Sequence, residues 1–230
     1  MPNKLEFNQL NPRVRFKERK FKFTQNQIDF LRTTLEDKTK LMFLSGPAGT
    51  AKTYMAVYSA LQVMMNSGLE KDILYIRSIA ESSQKSLGSL PGSIDEKFAV
   101  FSGPFYDKMD EMLNASDIKT LRDKNQFQCI PVNFVRGSNW NDTIVVIDEA
   151  QNFTYNELVT VLTRIGENSK IIICGDIMQS DIKNSGFKEI FNIFNDQESI
   201  ENGVVCKSFT TDDIKRSEIV RFIVSKLEKN

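Results

Sequence analysis

Residues 46–53 read Gly-Pro-Ala-Gly-Thr-Ala-Lys-Thr and decide the fold of this chain. They follow the apolar run 41–44 and precede a helix-periodic apolar run at 54–65. A loop that turns its backbone N–H groups toward an anion needs glycine dihedrals, and the helix behind it adds unpaired N–H groups and a positive dipole end. This order predicts a nucleotide phosphate-binding loop. The alternative is an ordinary strand-to-helix turn.

The side chains of this loop have separate predicted roles. Lys52 would reach the β and γ phosphates, and the Thr53 hydroxyl would bind Mg²⁺. Ala51 departs from the pattern, because a second glycine is usual at that position. We expect nucleotide contacts along the whole loop and the first helical turn: Gly46, Pro47, Ala48, Gly49, Thr50, Ala51, Lys52, Thr53 and Tyr54.

The length of the chain and the distribution of its charges limit its possible domain organisation. Its 230 residues, 40% of them hydrophobic, suit one α/β domain or two small ones. The net charge is zero, but residues 1–22 hold seven basic and two acidic side chains, a local charge of +5. Such an arm either contacts phosphates or is a solvated leader. We therefore predict a basic leader over 1–23 and one domain over 24–230.

Missing residue types exclude several chemistries. The chain has no histidine, so histidine bases, histidine metal ligands and Ser-His or Cys-His catalysis are excluded. A base must then be a carboxylate, and a metal must take oxygen ligands, which suits Mg²⁺. The three cysteines are far apart and fit a reducing cytoplasm: Cys129, Cys174 and Cys206. Neither a signal peptide nor a membrane span is expected.

The apolar pattern alternates between strands and helices. Five short runs predict strands: 41–45, 73–77, 144–148, 171–175 and 204–209. Helical patterns separate most of them: about 25–36, 53–67, 155–165, 186–195 and 212–227. This alternation predicts an α/β fold with a parallel sheet of about five strands and helices on both faces. The stretch 79–142, with a helical pattern near 105–115, is expected to be an insertion between sheet strands.

Polar side chains follow two of the buried strands. Asp148 ends the run 144–148 and Glu149 follows it, at the carboxyl end of a strand, where ligands bind in parallel sheets. Asp148 there can hold Mg²⁺ through water, and Glu149 can accept a proton from an attacking water. Gln179, just past the strand 171–175, can orient water or sense a γ-phosphate. A helix-capping acidic pair and a plain Gly-Asp turn are the respective alternatives.

Gln27 lies near the start of the first predicted helix, with Thr24 as a plausible N-cap. A glutamine amide can pair with the N6/N7 edge of adenine. Spacing alone, however, favours a solvent-facing glutamine.

Together these pieces resemble the PhoH-like ATPases over about residues 24–228, and through them the first RecA-like domain of superfamily 1 helicases. The motifs that carry the resemblance are Gln27, GPAGTAKT at 46–53, SLPGSIDEK at 89–97, VRG at 135–137, DEAQN at 148–152, LTRIG at 162–166, GDIMQSD at 175–181 and DDIKRSEIV at 212–220.

The resemblance implies a P-loop, RecA-like core in which the strand 171–175 lies between the loop strand and the Asp148 strand. It implies that Gln179 lies beside the γ-phosphate and that a single water molecule separates Glu149 from this phosphate. It also implies that Gln27 recognises the adenine base. Arg216 matches an arginine that would act on γ-phosphate charge, in its own or a neighbouring subunit. Two weaker candidates for that role could equally be structural ion-pair partners: Arg136 and Arg164.

Three positions depart from the family pattern. Ala51 replaces glycine, as it does in the replicative MCM helicases. The usual Arg-Pro after the second strand is Arg77-Ser78, which weakens the case for a nucleic-acid contact there. The VRG stretch continues as Ser138-Asn139, so one basic group is missing.

The resemblance favours an ATPase that uses ATP and Mg²⁺, with coupling to RNA or single-stranded nucleic acid as an open expectation. Because one RecA-like domain lacks a second domain to close on, a homo-oligomer, ring-like in form, is implied. The competing class is a nucleotide-controlled switch that recruits a protein partner without nucleic acid. Neutral net charge and Arg77-Ser78 favour the switch, whereas the basic leader and the helicase-like motifs oppose it.

Overall fold

The structure is a computed structural model. It describes residues 14–18, 21–68, 70–78, 94–132, 135 and 139–227, with backbone alone over 94–101.

Six parallel strands form the sheet. They are β1 (Leu41–Ser45), β2 (Asp72–Arg77), β3 (Phe127–Pro131), β4 (Thr143–Asp148), β5 (Lys170–Gly175) and β6 (Val204–Ser208). Their order is β3-β2-β4-β5-β1-β6. The inner strands β1, β4 and β5 are buried along almost their whole length. Near-continuous burial is expected where helices cover both faces of a parallel sheet.

Helices cover the two faces unequally. They are α1 (Gln25–Leu35), α2 (Lys52–Asn66), α3 (Ile94–Met112), α4 (Ala115–Asp123), α5 (Tyr155–Leu162), α6 (Phe187–Ile193), α7 (Gln197–Glu201) and α8 (Glu218–Leu227). Side chains of α1 to α4 pack on one face of the sheet, around Met42 and Tyr75. Those of α5 and α6 pack on the other face, around Phe43 and Val145. Alternate strand residues thus enter two separate cores.

The five predicted strands are confirmed within one residue at each end, and β5 lies between β1 and β4 as expected. The segment 79–142 is more than an insertion, because its part 127–131 is the sixth strand at the sheet edge. That strand reads Phe-Gln-Cys-Ile-Pro, too short and mixed to stand out as an apolar run. The last predicted helix starts at 218 rather than 212, because Thr210 caps a separate 3₁₀ turn at 211–213.

The described leader residues pack on the domain. Val14 is buried, and the Phe16 ring lies 4.7 Å from that of Tyr58 on α2. The Phe21 ring lies 5.0 Å from that of Tyr54. The predicted division at residue 24 is therefore not a boundary in packing; residues 1–13 and 19–20 lie outside the described part. Among the described helices, none has the length and apolar character needed to cross a bilayer.

Lys170 is a buried cation at the start of β5. Its ammonium donates to the carbonyls of Thr34 and Glu36 at the end of α1, the second at 2.9 Å. Burial, followed by the nearby charge of Lys40, lowers the pKa of Lys170 from 10.5 to about 8. Asp37 and Glu36 oppose this shift, and Lys71 adds to it.

This pKa predicts a pH dependence of stability. Between about pH 8 and pH 10.5 the unfolded chain binds more protons at this lysine than the folded chain, so its contribution to stability rises with pH. The free energy of unfolding of wild type minus that of Lys170→Met should therefore increase across this window in urea titrations. Lys38→Met, at an exposed lysine, is the control. A flat difference for Lys170→Met would contradict the pKa.

Candidate functional site

The loop after β1 has the backbone of an anion-binding turn. Gly49 has φ +85° and Ala51 has φ +64°, both in the left-handed region, and α2 starts at Lys52. A side chain at Gly46 would place its Cβ 2.9 Å from the Cβ of Phe209. The dihedral of Ala51 explains why glycine is usual there; the left-handed conformation costs an alanine about 1–2 kcal/mol.

A cavity of about 340 Å³ opens over this loop. Most predicted site residues line it: Ala48, Gly49, Ala51, Lys52, Thr53, Tyr54, Asp148, Glu149, Gln179 and Arg216. Of the other predicted loop residues, Gly46 and Thr50 are buried, and Thr50 donates to the Pro47 carbonyl at 2.8 Å. Those three positions shape the loop and do not line the cavity.

Lys52 supplies a positive charge at the loop. Its ammonium donates to the Gly46 carbonyl at 2.6 Å and to the Pro47 carbonyl at 3.0 Å. The first turn of α2 adds unpaired N–H groups beside it. Cation and helix end together favour a bound phosphate group.

Asp148, at the end of β4, is a buried carboxylate with three donors. The Thr53 hydroxyl donates to its Oδ1 at 2.9 Å, the Tyr75 hydroxyl to its Oδ2 at 2.6 Å, and the Cys174 thiol lies 3.1 Å from Oδ1. Burial, followed by the charge of Asp148, raises the pKa of Tyr75 and the pKa of Cys174. Both groups therefore stay protonated and remain donors at neutral pH.

Oxygen ligands suited to Mg²⁺ meet at this point. The Thr53 hydroxyl and the Asp148 carboxylate are adjacent. The Oδ2 atom of Asp176, buried in the same cavity wall, accepts no hydrogen bond from described residues. Within the described ranges no cluster of three metal-ligating side chains occurs. Mg²⁺ commonly takes few protein ligands and completes its shell with phosphate and water, so the residues fit this ion.

Glu149 follows Asp148 with φ +53°, and its carboxylate is 37% exposed. The Gln151 amide donates to Glu149 Oε2 at 2.6 Å, and an Arg77 guanidinium nitrogen lies 3.8 Å from Oε1. Gln151 also accepts from the Asp176 N–H at 2.9 Å. Gln151 therefore links the loop after β4 to the loop after β5.

The Gln179 side chain is exposed on the cavity wall, and the backbone N–H of Gln179 donates to the Asp176 carbonyl at 3.3 Å. A Cβ built on Gly49 would lie 3.4 Å from Cδ of Arg216, so the stem of Arg216 runs along the phosphate loop. The neighbouring Lys215 N–H holds this segment to the Gly49 carbonyl at 2.9 Å.

Arg164 lies elsewhere. Its carbonyl accepts from the N–H of Trp140, just before β4 begins, so it lies at the amino-terminal end of the strands, opposite the cavity. The structure therefore does not bring this weaker candidate to the cavity of its own chain. The VRG candidate Arg136 lies outside the described residues.

Gln27 is fully buried, which contradicts the solvent-facing alternative. Its amide oxygen accepts from the Thr24 N–H at 3.0 Å, and its amide nitrogen donates to the carbonyls of Thr50 and Asp213 at 3.1 and 3.2 Å. The amide thus ties α1 to the phosphate loop and to the 3₁₀ turn. Adenine would have to displace these partners, and adenine reading stays a prediction.

Sequence reasoning assigned no role to several residues of the site, among them Tyr75, Gln151, Cys174 and Asp176. Gln151 and Asp176 belong to the motifs DEAQN and GDIMQSD, so the signal was present without a role attached. Tyr75 and Cys174 lie inside apolar strands. At such positions the sequence pattern predicts only a buried core side chain.

With this geometry in place, comparison with known proteins identifies the family. A sequence profile described as "PhoH-like protein" matches residues 21–228. A PhoH-like protein of Synechocystis sp. is 35% identical over 196 residues, which cover 84% of this chain and 58% of that protein. A PhoH-like protein of Bacillus subtilis is 33% identical over 192 residues, covering 84% of this chain and 59% of the relative.

The chain belongs to the PhoH-like protein family. It spans less than three fifths of the length of these two relatives. A solved structure of the large terminase from the thermophilic bacteriophage D6E matches with a TM-score of 0.53 at 11% identity, covering 91% of this chain and 50% of the terminase. That likeness shows the fold alone, and it agrees with the P-loop architecture of this PhoH-like chain.

A substitution at Gln27 tests whether its amide anchors the phosphate loop to α1 and to the 3₁₀ turn. Gln27→Ala leaves one N–H and two carbonyls unpaired, so the free energy of unfolding without nucleotide should fall by about 1–3 kcal/mol. Chemical denaturation measures this effect, with exposed Gln25→Ala as the control. ATP against GTP selectivity, measured on the same variants, separates the anchor from adenine reading. If Gln27→Ala were as stable as wild type but no longer preferred ATP to GTP, the anchor role of Gln27 would be contradicted.

Proposed function

We propose that this PhoH-like protein binds ATP with Mg²⁺ and hydrolyses it. The observation that carries the proposal is one cavity lined by Lys52, Thr53, Asp148 and Glu149. A phosphate-binding cation, oxygen ligands for a metal and a carboxylate base are the parts that transfer of a phosphoryl group to water requires.

Each residue has one role in the proposed reaction. Lys52 and the loop N–H groups hold the β and γ phosphates, and Gln179 orients the attacking water. Glu149 accepts the proton that this water loses as it attacks the γ-phosphorus. Gln151 holds the Glu149 carboxylate in place through its 2.6 Å hydrogen bond.

Thr53 and Asp148 would hold Mg²⁺, with Asp176 available for water. When bound, the ion neutralises charge on the β and γ phosphates. The Tyr75 hydroxyl and the Cys174 thiol keep Asp148 oriented toward Thr53.

Two variants test the proposal. Lys52→Ala should weaken ATP binding, because a point charge facing the phosphates is lost. Glu149→Gln should bind ATP as wild type does but turn it over about 10²–10⁴-fold more slowly, because an amide takes no proton from water. Calorimetry measures binding, and phosphate release measures turnover. The exposed sites Lys38→Ala and Glu198→Gln serve as charge-matched controls.

An unchanged ATP dissociation constant in Lys52→Ala would refute the phosphate-loop assignment. Wild-type turnover in Glu149→Gln would make Glu149 structural. ATP binding with negligible turnover in wild type would instead favour the nucleotide-controlled switch. The two partners that occupy the Glu149 oxygens support this second candidate.

We also infer a homo-oligomer whose interface closes over the nucleotide. Arg216 is exposed at the cavity, and α8 begins two residues later. Four apolar side chains of α8 are 48–67% exposed: Ile219, Phe222, Ile223 and Leu227. An apolar helix face beside the nucleotide cavity suits contact with a second copy of this chain.

Arg216→Ala should lower turnover with little change in ATP affinity, because an arginine at this place stabilises charge that develops in the transition state. Specific activity should also fall on dilution. Mixing Arg216→Ala with Glu149→Gln subunits restores activity only if Arg216 acts across the interface. A monomer with turnover independent of concentration would overturn the oligomer proposal.

A further inference from the structure

A second cavity, of about 360 Å³, lies at the amino-terminal ends of the strands, on the side of the sheet opposite the nucleotide cavity. Three lysines that line it come from the starts of three strands: Lys40 precedes β1, Lys71 precedes β2, and Lys170 is the first residue of β5. None of the described residues that line the nucleotide cavity lines this one. A ligand here would therefore occupy a separate site.

Lys170 is the innermost of these cations, with 7% of its surface exposed. An ammonium group has three N–H donors. Two of those of Lys170 go to the carbonyls of Thr34 and Glu36 at the end of α1. The third has no acceptor among the described residues, although a buried donor without an acceptor is destabilising. An oxygen atom of a ligand in the cavity would supply that acceptor.

The charges around the cavity favour an anion. Its lining holds three lysines but, within the described ranges, a single carboxylate, that of Asp37. The ammonium of Lys40 makes neither a hydrogen bond nor an ion pair with a described residue. The Glu36 carboxylate is paired with Lys38 at 3.2 Å, outside the lining. The carboxyl ends of α1 and α2 each add about half a negative charge, which leaves the cavity positive by about one elementary charge.

We propose that this cavity binds a dianionic phosphate group through the ammonium groups of Lys40, Lys71 and Lys170. Three donors from separate strands suit a tetrahedral phosphate, which offers more oxygens than a carboxylate does. The proposal is independent of ATP hydrolysis, because no residue of the nucleotide cavity takes part in it.

The remaining lining indicates two sources for the phosphate. The volume is larger than a free phosphate ion needs and falls within the range of about 300–1,000 Å³ that is usual for small-molecule sites. Leu35 and Val63 form an apolar wall, and Asn66 and Asn168 add side-chain amides. The ligand is therefore either inorganic phosphate or a phosphomonoester whose organic part lies against the apolar wall.

Calorimetry with inorganic phosphate and with phenyl phosphate tests the site. Because both probes can also occupy the phosphate loop, all variants carry Lys52→Ala. Adding Lys40→Gln or Lys71→Gln should weaken binding of both probes roughly tenfold, since one charge-assisted hydrogen bond is lost. Lys38→Gln, at an exposed lysine outside the lining, is the matched control and should leave binding unchanged. Tighter binding of phenyl phosphate assigns a phosphomonoester, and equal binding assigns the free ion.

Lys170 adds a pH dependence to this binding. Burial, followed by the charge of Lys40, lowers its pKa to about 8; Lys71 adds to this effect, and Asp37 and Glu36 oppose it. A bound dianion would raise this pKa, so binding near pH 8 should take up as much as about half a proton.

Sulfate is the probe for this effect, because it stays a dianion throughout the pH range of the measurement. Its affinity should fall as the pH rises through about 8. Calorimetry in two buffers of different ionisation enthalpy measures the proton uptake. Both effects should be absent in Lys170→Met, and thermal unfolding checks that this variant is folded. If it is not, the variants at Lys40 and Lys71 carry the test.

Three results would overturn the proposal. The first is binding of both probes by the Lys40→Gln and Lys71→Gln variants as tight as in their Lys52→Ala parent. The second is a proton uptake that persists in a folded Lys170→Met variant. The third is complete loss of probe binding on Lys52→Ala alone, which would place the anions in the phosphate loop and so support the nucleotide site while removing the second one.

Discussion

The buried Asp148 carboxylate is the constraint on which the site depends. A charge removed from water is costly unless several hydrogen bonds compensate it. Three donors do so here: Thr53 at the start of α2, Tyr75 in β2 and Cys174 in β5. The strands β2 and β5 flank β4, and α2 packs over it. The hydrogen bonds of Asp148 therefore depend on both the strand order and the placement of the phosphate loop.

The other residues of the candidate site also lie at the carboxyl ends of the strands. The Gln151 side chain donates to Glu149 and accepts from the Asp176 N–H, so it ties the loop after β4 to the loop after β5. Ala51 and Glu149 both have left-handed backbones. Strain at functional positions persists where surrounding contacts hold it, and here both positions adjoin the hydrogen-bonded cluster around Asp148. The proposed hydrolysis, a reaction by positioning and charge stabilisation, requires the base and the phosphate loop to be held in place.

The outer parts of the molecule connect this centre to partners. Gln27 ties α1 to the phosphate loop and to the turn before Arg216, so the loop and the exposed α8 segment share an anchor. Arg77 touches Glu149 from outside the cavity. The proposed interface thus reaches the nucleotide site through Arg216.

The sequence by itself determined the P-loop fold class and five of the six strands, because local periodicity and glycine spacing encode them. It also indicated most cavity-lining residues, although Arg216 was indicated only by the resemblance to the family. Only the tertiary structure decided the rest. The edge strand β3 lacks an apolar run, and Tyr75 and Cys174 read as core until β4 places Asp148 between them. Gln27 is buried because Thr50 and Asp213, distant in sequence, converge on its amide. Arg164 lies at the amino-terminal end of the strands because α5 runs from the cavity side of the sheet to the opposite side. Hydrogen-bond partners separated by many residues are set by packing, which no local pattern records.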